Sequence, residues 1–257
     1  MKIIVLVKEV PDTYGDRKLS LESGLADRSG EVVLDEISER ALEAALTYAE
    51  ANAGTEVVAI AMGPESVPTA LRKALAMGAV KAVHVLDDGL VGADLGLTAE
   101  VLAAAVRREG FDLVVTGNIS TDGSGGALPS MLAELLEVPA ATNLSSFQIA
   151  DSTLSGHRTP DQGSYEVSAT LPAVISVTER MPDPRFPNFK GIMAAKKKPF
   201  ETVTLADLGV ATDDESVSRS IVISVAERPA RAAGVKIVDE GNAGEQLAEF
   251  LIAQKLA

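Results

Sequence analysis

Apolar and polar positions change their rhythm every ten to fifteen residues along the first two thirds of the chain. Lys2–Val7 is a continuous apolar run, suited to a strand buried on both faces. The polar stretch Lys8–Glu31 follows, rich in Asp, Gly, Ser and Arg; it is too long for an ordinary connection and reads as a functional or partner-facing loop. Ile37, Ala41, Ala44, Ala45 and Tyr48 then recur at helical spacing, with Glu36, Glu39, Arg40 and Glu43 on the other face. Glu56–Met62 predicts a second strand, closed by Gly63-Pro64. A helix from near Ser66 carries Val67, Leu71, Ala74 and Leu75 inward and stops at Gly78, where glycine supplies a left-handed cap. Ala82–Leu86 is a third strand and Leu97–Arg108 a helix. Asp112–Thr116 is a fourth strand, followed by a glycine-rich loop and a helix over Ala127–Leu136.

Repeated β-α units of this length predict an α/β fold: a doubly wound, mostly parallel sheet with helices on both faces. Ligands of such folds sit beyond the carboxyl ends of the strands. The texture changes after residue 150. Thr153–Arg158 and Gly163–Leu171 flank the turn-forming Thr159-Pro160-Asp161-Gln162 and predict a β-hairpin. Ala173–Val177 is another apolar strand. From Met181 the chain becomes irregular, with Pro182, Pro184 and Pro187, then a short helical piece around Gly191–Lys197. Residues from 205 read as an extended arm ending in a helix, Ala243–Lys255, with the apolar stripe Leu247, Phe250, Leu251. An arm that cannot bury its own stripe needs a partner surface. The expected organisation is an α/β domain over 1–204, containing the hairpin 153–171 and the loop 182–198, and an arm over 205–257.

Composition narrows the chemistry. Cysteine is absent, which removes disulfides, thiolate metal sites and Cys nucleophiles together. The two histidines, His84 in an apolar strand and His157 in the hairpin, read as a core and a surface residue, and no zinc-binding spacing occurs. The net charge of −14 argues against a nucleic-acid binder. Lys196-Lys197-Lys198 is a compact basic cluster, with the acidic Asp213-Asp214-Glu215 further on. No run of about 18 apolar residues exists, and Met1–Val7 reads as a strand and not as a signal peptide, so a cytoplasmic location is expected.

The most informative segment is Thr116–Gly126, which runs into the helix starting near Ala127. Its glycines let a backbone approach a ligand closely. The helix N-terminus offers unpaired N–H groups and partial positive charge, suited to a phosphate, and Ser120 and Ser124 add hydroxyls. Pro129 is tolerated in a first helical turn. The bland alternative is an ordinary glycine-rich turn. There is no GK[ST] of a Walker A loop, and the segment follows the fourth strand where the dinucleotide fingerprint follows the first. No nucleophile–base pair and no metal site can be assembled, so no catalytic residues are expected, and any chemistry belongs to a cofactor.

A colinear series of motifs then resembles one family. Val7-Lys8-Glu9-Val10-Pro11-Asp12 is similar to the VK-x-VPD opening of electron-transfer flavoprotein beta subunits. Asp35-Glu36-Ile37 with Ala41–Ala45, and Ala74-Leu75-Ala76-Met77-Gly78-Ala79, resemble their next two motifs. Leu171–Val177 looks like the strand after the family hairpin, Ile192–Lys198 like IM-x-AKKK, and Ala232–Lys236 like the TAG-x-K of the arm.

The resemblance implies a heterodimer with an alpha subunit that carries FAD. It implies an AMP held by the beta subunit for structure, electrons taken from acyl-CoA dehydrogenases, and delivery to a membrane quinone oxidoreductase. By position, the AMP contacts would be Leu6, Val32-Val33-Leu34-Asp35, Met62, the loop Asp122-Gly123-Ser124-Gly125-Gly126, and Ala127-Leu128-Pro129-Ser130-Met131-Leu132-Ala133. The partner-docking loop would be Pro184-Arg185-Phe186-Pro187-Asn188-Phe189-Lys190-Gly191, continuing into Ile192 and Met193, with Phe189 as anchor and Phe186 as the other candidate. Lys196, Lys197 and Lys198 would flank it and steer acidic partners. Three departures stand out: Val32-Val33-Leu34 replaces Asn-Pro-Phe, the nucleotide loop is glycine-rich, and Thr13, next to Tyr14, replaces an aromatic that lies over the partner FAD in some relatives. They leave room for an electron-bifurcating relative with a second FAD in place of AMP. A nucleotide-sensing module of universal-stress type is the alternative from another class.

Overall fold

The computed structural model describes residues 1–213, 219–231, 233–234 and 236–256. Asp214 and Glu215 of the acidic cluster, and Ala232 and Val235 of the arm motif, lie outside the described residues. The elements are β1 (Lys2–Leu6), β2 (Glu9–Pro11), β3 (Val32–Leu34), α1 (Glu36–Ala51), β4 (Glu56–Met62), α2 (Pro68–Met77) and β5 (Lys81–Val85). They continue with α3 (Leu95–Glu109), β6 (Leu113–Gly117), α4 (Leu128–Leu136), β7 (Ala140–Ala150), β8 (Thr153–Arg158), β9 (Tyr165–Thr170) and β10 (Ala173–Val177). The last are α5 (Phe189–Ala195), β11 (Phe200–Val203), α6 (Leu205–Leu208) and α7 (Ala243–Ala253).

Among the described residues, nine strands form one sheet in the order β11-β5-β4-β1-β6-β10-β7-β8-β9. From β11 to β7 every pairing is parallel; β7-β8 and β8-β9 are antiparallel. This is the expected α/β sheet, and the expected hairpin is present as β8 and β9. The doubly wound character lies in the register. Ile3 is opposite Val57 and Leu113, and Leu113 opposite Ala173. All four belong to one apolar cluster with Leu42 of α1 and Leu71 of α2. One residue further on, Ile4, Val58, Val114 and Val174 point to the other face and pack with Val101 of α3 and Leu132 of α4. A strand with period two inside a two-sided core must be apolar at every position, which is why β1 carries no polar alternation.

Two strands lie where the apolar pattern is weak. β7 reads Ala-Ala-Thr-Asn-Leu-Ser-Ser-Phe-Gln-Ile-Ala, half polar, and Asn143 takes φ +59° beside a register shift against β10. β7 has a parallel partner on one edge and an antiparallel one on the other, and the irregularity bends the strand between them. β11 is a four-residue edge strand, too short for a periodic signal. A small second sheet, β2 with β3, pins both ends of the polar stretch that follows β1.

The chain divides into two units, Met1–Ile223 and Ser224–Ala257. Among the described residues of the second unit α7 is the only regular element, and its Leu247, Phe250 and Ile252 are exposed. Among the described residues no helix is long and apolar enough to cross a membrane.

Candidate functional site

The chain winds outward from β1 through β4 to β5, then returns to β6 on the other side of β1. The helices that follow β1 and β6, α1 and α4, therefore cover opposite faces of the sheet, and the connections leaving the two strand ends part to frame a crevice. Lys8 leaves β1 there, the loop after Gly117 leaves β6, and Asp35 opens α1 between them. Gly117 has no alternative at its position: a Cβ would lie 2.6 Å from Cγ2 of Ile37, so its glycine lets α1 approach the sheet.

Asp35 is fully buried. Its backbone N–H donates to the Lys8 carbonyl at 2.9 Å, and its Oδ2 accepts from the Thr121 N–H at 3.0 Å. Its Oδ1 has no hydrogen-bond partner among the described residues. Burial pushes the Asp35 carboxyl above the usual range, against the pull of the Thr121 N–H.

The loop after β6 is held by cations from the polar stretch. Lys8 Nζ donates to Asp122 Oδ1 at 2.6 Å and to Ser120 Oγ at 3.3 Å. Arg28 stands 3.6 Å from the other Asp122 oxygen and donates to the Glu9 carbonyl at 2.9 Å. Arg17 donates to the Thr121 carbonyl and, at 2.9 Å, to that of Pro11. Burial works against the Asp122 carboxylate, yet the Lys8 ammonium, with Ser120 and the Gly123 N–H, together outweigh it and hold the group below its usual range. Ser124 and Gly126 adopt left-handed φ values of +50° and +67°, and a Cβ on Gly125 would meet nothing within 4 Å. The loop then enters α4, whose N-cap Ala127 makes no side-chain bond and whose first turn contains Pro129. The first-turn N–H groups of α4 thus lack a side-chain cap.

The expected nucleotide residues fall on this frame in different ways. Leu6 and Met62 are the last residues of β1 and β4. Val32, Val33 and Leu34 form β3, where Leu34 is buried opposite Glu9. Asp122, Gly123, Ser124, Gly125, Gly126 and Ala127 make the loop, and Leu128 to Ala133 the first part of α4. Leu132 and Ala133 face the sheet core, so they have no side chain to offer a ligand. Lys8, Arg17, Arg28 and Ser38, whose Oγ accepts from the Lys8 N–H at 3.2 Å, were not predicted. Only Lys8 had a signal, its position directly after β1; the arginines come from a stretch without periodicity. His84 is buried, its Nε2 2.9 Å from the Gly63 carbonyl, and His157 is exposed. A cavity of about 500 Å³ lined by Met1, Asp112, Asp151 and Pro172 lies at the opposite, amino-terminal end of the strands.

A second surface is built by the segment 182–198. Arg185 pairs with Glu43 at 2.7 Å and with Glu50, both on α1. Arg40 of α1 reaches Asp183 at 2.6 Å. At the other end α5 presses on α2 so closely that a Cβ on Gly191 would stand 2.4 Å from the Ala76 carbonyl oxygen. Asn188 caps α5, its side chain accepting from the Gly191 N–H at 2.8 Å. Pro184 and Pro187 are half-buried, while Lys190 is exposed. Phe186 and Phe189 point outward, 94% and 80% exposed, beside the half-exposed Ile192 and Met193. Neither phenylalanine packs inward. Lys196 and Lys197 are exposed, but Lys198 turns back: its Nζ donates to the carbonyls of Leu75 and Ala79, each at 2.7 Å, closing the end of α2. Burial pulls its pKa below the usual lysine value.

Residues 24–208 match the model of the electron transfer flavoprotein domain. The chain is 47% identical to the electron transfer flavoprotein subunit beta of Mycobacterium tuberculosis, over 99% of this chain and 98% of that one. It is 33% identical to the subunit beta of Syntrophomonas wolfei over 98% and 96%, and 33% identical to the caffeyl-CoA reductase-Etf complex subunit CarD of Acetobacterium woodii over 83% and 82%.

Proposed function

The chain belongs to the electron transfer flavoprotein family as a beta subunit, an electron carrier component, and from that premise we propose that it holds a structural AMP and docks flavin dehydrogenases for its alpha subunit. The observation that carries the nucleotide assignment is the meeting of Asp35 with the loop after β6. There Asp35, with one buried carboxylate oxygen left without a partner, is bonded to the loop that runs into the uncapped N-terminus of α4. These groups fit an adenylate. The α4 N–H groups suit its phosphate, and the Asp35 acceptor suits a ribose hydroxyl or an amine. The open space beside Gly125 admits the ligand without displacing a side chain.

The alpha subunit carries FAD in this reading, and FAD supplies the redox chemistry when bound. This chain contributes binding and docking. Phe189, with Phe186 beside it, is the apolar anchor on a surface braced at both ends, a geometry that suits one buried hot spot and fast release. Lys196 and Lys197 steer acidic partners toward it. The electron donors are acyl-CoA dehydrogenase-type flavoenzymes and the acceptor is a membrane quinone oxidoreductase. The nucleotide-binding domain is read over residues 1–204, and the arm packs on the alpha subunit through the exposed stripe of α7.

The test is acid extraction of the purified heterodimer, followed by chromatography. One AMP and one FAD per heterodimer is the expected result. Two FAD and no AMP selects the bifurcating alternative. A chain that purifies as a colourless, ATP-binding homodimer overturns the assignment.

A further inference from the structure

Ser220-Ile221-Val222-Ile223-Ser224-Val225 carries four β-branched residues in six positions and no charge, glycine or proline. By composition such a run is a strand. The chain does not use it as one. Among the described residues no strand or helix forms between α6 and α7, and no backbone hydrogen bond starts or ends on Ile221, Val222 or Ile223. Their side chains are uncovered as well, at 82%, 56% and 91% exposure. The start of the run is nevertheless fixed. Arg219 donates to both carboxylate oxygens of Glu100 on α3, at 3.0 and 2.7 Å, and the Ser220 N–H donates to Asp94 Oδ2 at 2.6 Å. Asp94 also caps α3, its other oxygen accepting from the Leu97 N–H at 2.8 Å. Val91 and Leu95, close to Asp94 in the chain, are exposed too. An apolar run thus reaches the end of the first unit, at Ile223, from an anchored position.

We propose that Ile221–Ile223 is a strand awaiting a sheet, and that it adds to an exposed sheet edge of the alpha subunit when the two chains assemble. The inference rests on the chain being a beta subunit, and it gives that reading a contact made through the main chain. Water satisfies an exposed backbone, so the unpaired N–H and C=O groups alone demand nothing. Three adjacent uncovered β-branched side chains do, because exposed apolar surface of this kind is stabilised by burial. A second copy of this chain is the poorer occupant: each copy carries a net charge of −14, and like charges oppose self-association. The alpha subunit is the better one, since the same segment leads directly into the arm whose α7 stripe is assigned to it. Side chains alternate along a strand, so Ile221 and Ile223, the two most exposed of the three, enter the partner's apolar surface together while Val222 faces the other way. A strand paired along one edge bonds only every second N–H to its neighbour.

The experiment compares the full chain alone with the heterodimer, by hydrogen exchange read at single residues. In the chain alone, the amides of Ile221, Val222 and Ile223 are expected to exchange as in an open chain. In the heterodimer, alternate amides are expected to be protected by roughly a hundredfold. Ile221→Ser combined with Ile223→Ser is expected to weaken assembly by roughly tenfold or more, with the thermal midpoint of the chain alone unchanged. Heterodimers in which the three amides exchange freely, or are protected without alternation, overturn the proposal and leave the beta-subunit assignment standing. Assembly of the double variant equal to the parent's does the same. Protection already present in the chain alone also overturns it, and a doubled mass then names a second copy as the occupant. A chain that forms no heterodimer overturns the assignment as well. The alternation within the heterodimer decides the question even where the chain alone does not stay soluble.

Discussion

The backbone N–H of Thr121 donates to the carboxylate of Asp35 at 3.0 Å, joining two residues 86 positions apart in the chain. One belongs to the loop after β6 and the other opens α1, so this bond sets the distance between the two walls of the crevice. The carboxylate is buried, with burial raising its pKa and one oxygen left without a partner. Such a group costs stability that a ligand donor would restore.

Asp35→Asn is therefore expected to keep the Thr121 bond and to remove the cost of burying a charge. The sign follows from linkage: an acid whose folded pKa lies above its unfolded value loses stability as pH rises between the two. The variant should gain about 1 kcal/mol over the ligand-free parent at pH 7, with the gap closing as pH falls to the ordinary Asp value of 3.8. Urea denaturation at several pH values measures it. A gap that does not change with pH would contradict the assignment.

Phe189→Ala should slow electron acceptance from an acyl-CoA dehydrogenase by roughly tenfold in kcat/KM, the scale of one interfacial hot spot. The side chain is 80% exposed, so its loss should leave the thermal midpoint unchanged. Phe186→Ala, made in parallel, reports which ring is the anchor. Docking rates equal to the parent's in both variants would remove this surface from the interaction.

Arg185→Met should loosen the docking segment from α1. Burial works against the Glu43 carboxylate, but Arg185 outweighs it and holds Glu43 below its ordinary 4.5. Arg185 lowers that of Glu50 as well. A depressed carboxylate contributes stability that is present above 4.5 and lost as pH falls through the lowered value. The expected loss is about 1 kcal/mol at pH 7, because Glu50 is solvent-screened. It should vanish in acid. Thermal melts of parent and variant at pH 7 and at successively lower pH below 4.5 follow the loss of the difference.

Lys198→Met should cost about 1–3 kcal/mol, since two carbonyls at the end of α2 lose a charged donor. Lys196→Gln and Lys197→Gln should change stability by less than about 0.5 kcal/mol. Their effect should appear in the association rate with an acidic partner and fade with added salt. Stopped-flow mixing at two ionic strengths separates the two classes of lysine. Equal destabilisation by all three substitutions would contradict the division.

The buried strands and helices of the α/β core were legible because burial on both faces imposes unbroken apolar runs, as in Ile3-Ile4-Val5-Leu6, and because Gly78 and Pro64 mark the ends of neighbouring elements. β7 and β11 were not. One mixes Thr, Asn, Ser and Gln into a half-exposed strand, and the other has four residues at a sheet edge. The glycine-rich loop and its helix were visible as a candidate site from composition and order alone. The cations that hold it were not, because Arg17 and Arg28 sit in a stretch with no periodicity.

What the sequence determined by itself is the layering: apolar runs and helical spacings can bury their surface only as a sheet covered on both faces, and the order of glycine loop before helix places uncapped N–H groups at a strand end. Tertiary structure alone decided which charges meet. Lys8 and Asp122 are 114 residues apart, and Arg185 and Glu43 are 142. Lys198 looks like its two neighbours until the end of α2 lies beneath it. Burial is a property of each residue type and its spacing, and is written locally. Pairing depends on where the strand order reverses, and no local pattern records that.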